Sequence, residues 1–573
     1  MFTLITRIFW RPRWRYGLGC LALVAGLLGA GAYLLTPYQE LLRWYLGLND
    51  CFYRAESWPQ RFFTPAVKAQ GNLLALLALA LCSAGLGFLL YRWRRAPQPR
   101  LGPSGPGPGL AWPDALYLLG LLGAASGLWW WGNGRVVRGP DEVFSALYCA
   151  PLPPFQTVAY YMLPNNHLLF NLLNGSLFGG WADLVQTGRL LSGVAYLATV
   201  ASVYGWFRGL TGHRMLAALV ALAVALQFPL WGFGFQARGY ALYALAHWGA
   251  FIGLFGYRRD RRGGWLLLNA VCCAVGYATV PTFLFFHLAQ LAFGVLYQWQ
   301  RRALDWRFWR YQAGALLAVY LFYLPALGFS GLAALTSNEY VRPTSATLGG
   351  FLPAFGHDLH DFIEYCFSNA RLGVPLSEAL ALLPLLLLGA RRDTAWFAYG
   401  LFYALLLLVA VGLMLGMRHS INQRNLIGHC SLALALVPAT LYWLLAQLPA
   451  HWRRPRWQLG GTALVLLVLG RQFVRASPVK YPEGLYLSDN GRAYRAITDG
   501  LLPIRTGQRV AYSWESFYVY YVGQQRGLRG YLTCAPPLAD YYIVLPTEQL
   551  PAAAAPHYEL LTKGPEFTLY RRK

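Results

Sequence analysis

Long apolar runs, each roughly 17 to 25 residues, alternate with short basic clusters from Gly17 to Phe473. At about 1.5 Å per helical residue, each run reaches across a hydrocarbon core of roughly 30 Å. The pattern predicts about thirteen spanning helices, near residues 17–35, 71–90, 113–131, 189–207, 215–231, 240–256, 265–281, 283–299, 312–329, 374–390, 396–416, 426–446 and 459–473. The first run follows "RIFWRPRWRYG". It is too long for the apolar core of a secretory signal, and "LLTPYQELL" offers no evident cleavage site, so it reads as a retained span.

The connections then differ by side. "RIFWRPRWR", "YRWRRAPQPR", "FRGLTGHR", "YRRDRRGG", "QRRALDWRFWR", "ARRD" and "HWRRPRW" fall on one face, with about 23 Lys and Arg against about 11 on the other. The positive-inside rule makes the basic face, with the N-terminus, cytoplasmic. The outward connections are longer and aromatic. The segment 132–188 contains "FQTVAYYMLPNNHLLFNLLNGSLF", and 330–373 is the second large one; their short apolar stretches suit interfacial helices that wall a cavity.

"RAPQPRLGPSGPGPGLAWPD" is a Pro/Gly-rich linker that sets a two-helix extension, 1–110, apart from a membrane module, 111–477. Residues 478–573 have soluble character. "RVAYSW" and "YYIVLP" predict strands, "ESFYVYYVGQQRG" a helix and "YELLTKGPEFTLYRR" a hairpin, which makes a small α/β domain. An odd number of spans places it outside the cytoplasm. The expected fold is thus a polytopic α-helical membrane protein with interfacial helices in its outer loops and a C-terminal α/β domain.

Composition agrees: 57% of the 573 residues are hydrophobic and 12% charged, about half the charged fraction of a soluble domain. The net charge of +25 comes from dispersed clusters, not one groove-lining face, which excludes a nucleic-acid surface. Nine cysteines show no zinc spacing. Cys51, Cys149, Cys366 and Cys534 fall on the outer side, where a disulfide of undetermined pairing is allowed.

Polar groups near the outer face carry the candidate chemistry, because a charge at the centre of a membrane helix costs roughly 2.5 to 3.5 kcal/mol. Asp141 and Glu142 follow Pro140 in "RGPDEVFSAL". Asp141 fits either a helix N-cap or a general base, and Glu142, about 100° round the helix, faces elsewhere. His167 in "PNNHLLF" fits an interfacial or a substrate-binding histidine. Arg238 in "FQARGYALY" and Arg424 in "RHSINQRNLIGH" stand at outward helix ends, where arginine snorkels or binds phosphate. "HDLHDFIEY" places His357, His360, Asp361 and Glu364 at helical spacing, which suits either a divalent metal or the wet face of an interfacial helix. No Walker or nucleotide-binding βαβ motif is present, which argues against ATP or a sugar nucleotide as the direct substrate.

Taken in order, Asp141–Glu142, "NNHLLFNLL", "QARGYALY" and "NQRNLIGHCSLALALVP" resemble the GT-C integral membrane glycosyltransferases, in the branch of the protein mannosyltransferases and the lipid A aminoarabinose transferase. The likeness runs from about Ala111 to Phe473. It implies transfer of a sugar from a polyprenyl-phosphate donor to a glycan, lipid or protein acceptor, with Asp141 as the catalytic base. Glu142, His167, Arg238, Tyr240 and Arg424 would bind substrate, the arginines at the lipid phosphate. Where some relatives carry His-Pro-Pro, this chain has His167-Leu168-Leu169. The competing class is a transporter or lipid flippase; it calls for internal repeats and midplane charges, and no convincing repeat is visible.

Overall fold

The computed structural model describes residues 12–46, 62–94, 112–159, 161, 166–180, 183–336, 343–367, 374–390, 395–447, 460, 488–533 and 539–573. Helix occupies every expected span from 17–35 to 426–446, and 459–473 falls almost wholly outside the described residues. Among the described residues seven helices are long and apolar enough to cross a membrane, or eight if one bent pair counts as a span.

Two expected spans have another shape. The run 215–231 is broken into Arg214–Ala225 and Phe228–Gly234, bent by 71°, with Pro229 in the first turn of the second piece. The run 374–390 is helical over Val374–Leu382 and then tightens into a 3-10 segment, Leu383–Gly389, with Pro384 in its first turn. Trp306–Thr336 is kinked at Gly331, whose φ of 77° only glycine adopts readily.

The helix Tyr240–Asp260 runs through the centre of the bundle and is buried along most of its length. It packs closely on Gly263–Thr279 because Gly253 leaves its backbone bare: a Cβ there would lie 2.7 Å from the amide nitrogen of Asn269. Between the neighbouring helices Asn269, Gln290, Gln312 and His287 satisfy one another through side-chain hydrogen bonds of 2.9–3.1 Å, which keeps these polar groups tolerable in an apolar interior.

The two long connections expected on the outer side are helical, in keeping with their short apolar stretches. Pro140–Phe144 continues into a π-helical turn, Ser145–Cys149, followed by Pro154–Ala159 and Leu168–Phe178. The second connection holds Leu348–Cys366. Cys149 and Cys366 are buried free thiols, while Cys51 and Cys534 lie outside the described residues.

The C-terminal region forms the expected strands β1 (Arg509–Ser513), β3 (Tyr541–Val544) and the hairpin β4 (Tyr558–Lys563) and β5 (Thr568–Arg572). It adds β2 (Arg529–Thr533) and the helix Ser488–Gly500, neither of which the sequence patterning distinguished. The sheet order is β2-β1-β3-β5-β4, parallel from β2 to β3 and antiparallel beyond. Its apolar core is continuous with that of the helical region: Val143, Ala146, Val185 and Ala237 share one cluster with Ile497, Val519 and Val522.

Candidate active site

Pro140 at the first helical position starts the short helix Pro140–Phe144, and Gly139 is its N-cap. Glu142 reaches back to accept the Gly139 amide at 2.7 Å, so Glu142 serves the helix start and Asp141 does not. Successive helical positions then send the two carboxylates apart. Asp141 stays about half exposed, whereas Glu142 is 2% exposed.

Asp141 accepts from two arginines through one oxygen. Arg238 Nη1 lies 3.1 Å and Arg424 Nη1 3.2 Å from Asp141 Oδ2. Arg238 is buried and lies just before the helix Tyr240–Asp260; Arg424 lies in the 3-10 turn Gln423–Leu426, whose start Asn422 caps by accepting the Arg424 amide. Both guanidiniums lie over the Tyr240 ring, that of Arg238 at 5.6 Å and that of Arg424 at 5.8 Å from its centroid. Residues separated by 283 positions thus meet at one point.

His167 joins the same cluster. Its Nε2 lies 2.9 Å from Arg238 Nη2, and its ring meets the Tyr240 ring edge-on at 4.7 Å. Arginine only donates, so Nε2 must accept and the ring is neutral with its proton on Nδ1. Burial, reinforced by the charges of Arg238 and Arg424, holds its pKa well below the ordinary histidine value. The close approach depends on Gly239: a Cβ there would stand 2.9 Å from His167 Nδ1 and 2.5 Å from Thr279 Cγ2.

Burial alone would raise the Asp141 pKa, but the two guanidiniums outweigh it and hold the carboxyl below the ordinary aspartate value. Asp141 is therefore ionised at neutral pH. It opens, with Arg424, Gln236, Phe233, Tyr365 and Asn422, onto a cavity of about 430 Å³.

Glu142 has a role that its place in the sequence does not disclose. Oε1 accepts from Gly139 N at 2.7 Å and Arg189 Nη2 at 2.6 Å, and Oε2 from Arg189 Nε at 3.0 Å and Ala237 N at 2.9 Å. Four donors fill the roughly four lone-pair sites of a carboxylate, so a substrate contact by Glu142 has no acceptor left to use. Instead Glu142 fastens the segment bearing Asp141 to the residue before Arg238. Arg189, fully buried, completes the clamp by donating to the carbonyls of Val136 and Val137. Arg189 escaped notice because it stands at the mouth of an apolar run, where a snorkelling arginine looks the same.

The "HDLHDFIEY" residues do not converge. His357 faces Asp361 at 3.7 Å, His360 faces Glu378 at 3.8 Å, and the side chain of Glu364 lies outside the described residues. Among the described residues no three His, Cys, Asp or Glu side chains are grouped to hold a metal ion.

No family model and no curated protein matches the chain. Solved structures do: ArnT from Cupriavidus metallidurans bound to undecaprenyl phosphate, 14% identical with a TM-score of 0.44, and the same protein in the apo state, 16% identical with the same score. Each alignment covers 80% of this chain and 98% of the other.

Proposed function

We propose that the protein is an integral membrane glycosyltransferase that moves a sugar from a polyprenyl-phosphate donor to an acceptor hydroxyl at the outer membrane face. The observation that carries the proposal is the convergence of an ionised Asp141 with two arginines, Arg424 lining the same cavity and Arg238 buried behind it. Undecaprenyl phosphate, bound in the similar ArnT structure, is the lipid part of a donor of this class.

The chemistry follows from the charges. Asp141 takes the proton of the acceptor hydroxyl as its oxygen bonds to the anomeric carbon. The bond from that carbon to the phosphate oxygen breaks, and the electron pair leaves with the lipid phosphate. The donor diester carries one negative charge and the departing monoester about 1.5 to 2. Two fixed guanidiniums therefore stabilise the leaving group more than the bound donor, which lowers the barrier and not merely the donor KM. A donor phosphate beside these guanidiniums would also offset their charge at Asp141 and so raise the basicity of the carboxylate when the substrate is in place. In this reading Glu142 and Arg189 are positioning residues, His167 orients Arg238, and Tyr240 holds both guanidiniums over its ring.

The residue ranges 1–110, 111–477 and 478–573 are proposed as an N-terminal extension, a catalytic membrane module and an outer domain that braces the Asp141 segment. The last role rests on Tyr518 donating to the Arg138 carbonyl at 2.7 Å and on Phe517 packing against Phe144 and Tyr148.

The test is transfer by purified protein in lipid, offered a panel of polyprenyl-phosphate sugars beside the corresponding nucleotide sugars. Transfer from the lipid-linked sugars alone supports the proposal, and transfer from nucleotide sugars alone refutes it. The bent pair Arg214–Ala225 and Phe228–Gly234 gives the transporter reading its one favourable observation, since broken helices line transport sites. Substrate flux across sealed vesicles without product formation would select that reading.

A further inference from the structure

The far end of the bundle holds a second cavity of about 540 Å³. It lies at the last turn of Tyr240–Asp260, about 20 residues and so ~30 Å along that helix from the Arg238 end. That distance is roughly a hydrocarbon thickness, so this cavity opens at the opposite membrane–water interface. Trp306 and Leu304 at its rim are 63% and 58% exposed, as residues that meet lipid are.

Among the described residues its lining contains Arg258, Arg261, Arg301, Arg307 and Arg310 against the single carboxylate of Asp305. Three of the guanidiniums surround one ring: Arg301 is 4.9 Å, Arg258 5.2 Å and Arg261 5.9 Å from the Tyr297 centroid. No two of these three are then more than about 11 Å apart, close to the Debye length of about 8–10 Å, and their repulsion is only partly screened. Asp305 pairs directly with Arg261. One oxygen accepts from Arg261 Nη1 at 3.0 Å and Tyr257 Oη at 2.7 Å; the other accepts the amides of Arg307 and Phe308 and caps the helix that follows. Loop basicity from the positive-inside rule explains arginines on this face, but not their gathering round a concave, aromatic-floored cavity.

We infer that this cavity binds a phosphate-bearing anion, namely the headgroup of an anionic phospholipid in that leaflet. Arginine suits the role because its planar fork pairs with phosphate oxygens while its face stacks on tyrosine. The site is separate from the one proposed for transfer and uses none of its residues.

The full-length protein is reconstituted with equal fractions of phosphatidylglycerol and phosphatidylethanolamine, and the lipid it retains on extraction is counted by mass spectrometry. Selective retention of phosphatidylglycerol is expected, reduced roughly 30-fold in Arg258→Gln/Arg301→Gln and unchanged in Arg92→Gln/Arg94→Gln, an exposed pair at the end of another helix. If the first variant does not fold, Arg301→Gln/Arg310→Gln, both exposed, replaces it. Equal retention of the two lipids, or equal loss in the control pair, overturns the inference. Inorganic phosphate is the second arm: binding of phosphate with no lipid preference overturns the lipid assignment.

Discussion

Replacing Glu142 with Gln tests the clamp that brings the site together. Gln keeps the volume, but its amide nitrogen would point a donor at a donor: either at Gly139 N and Arg189 Nη2 or at Ala237 N and Arg189 Nε. It also strands the Arg189 charge, which is fully buried. Removing one partner of a buried ion pair destabilises by about 3–5 kcal/mol. The carbonyls of Val136 and Val137 still receive Arg189, which sets the expectation near the lower end, about 3 kcal/mol. Unfolding titrations in mixed micelles of wild type, Glu142→Gln, Arg189→Met and the double variant would measure it, with a coupling of about 1–3 kcal/mol between the two positions. Because the clamp ties the Asp141 segment to Ala237, folded Glu142→Gln should also lose roughly 100-fold in turnover, as a displacement near 1 Å does. A Glu142→Gln protein within about 0.5 kcal/mol of wild type would show that the clamp holds nothing, and the reasoning would fail.

Asp141 titrates below the ordinary carboxylate range, so kcat/KM should hold down to the unperturbed value of 3.8 and fall only beneath it, while the acid limb of kcat lies higher once donor phosphate occupies the arginines. The same depressed carboxylate contributes stability that is present above the unfolded pKa and lost as pH falls through the folded one; a kcat/KM limb above about pH 5 would contradict this. Arg424→Gln removes a charged hydrogen bond to the donor phosphate, and a combined loss of roughly 10- to 150-fold in kcat/KM for the donor is expected, against unchanged kinetics if Arg424 merely faces water. Phe517 rests edge-on against Phe144 at 5.5 Å and Tyr148 at 5.8 Å, so Phe517→Ala should destabilise by about 2–3 kcal/mol, and deletion of 478–573 should impair transfer to every acceptor; full transfer by the truncated protein would remove the bracing role.

Much of the helical plan was readable because spanning segments must be apolar along their whole length, and that signal is strong in one sequence. The strands β1 and β3 were equally plain from their aromatic and β-branched runs. β2, "RGYLT", has a glycine inside and no alternation, so its strand state comes from pairing with β1 and not from its own pattern. In the site, Asp141, His167, Arg238 and Arg424 stand out in the sequence as polar groups near the expected outer face and Tyr240 through the motif of the resemblance alone, and the fold gathers all five. The roles of Glu142 and Arg189 were not readable. They depend on which backbone amides a carboxylate meets after folding, a property of Gly139 and Ala237 in space with no trace in residue type.

The central claim rests on Asp141, and one comparison tests it most directly: donor binding and sugar transfer by wild type and folded Asp141→Asn, with a radiolabelled polyprenyl-phosphate sugar that the wild type accepts. Asp141→Asn is expected to bind the donor, through Arg238 and Arg424, while transfer falls by at least about 100-fold, the lower range for loss of a general base. Transfer at the wild-type rate by Asp141→Asn would take Asp141 out of the chemistry and refute its role as the base.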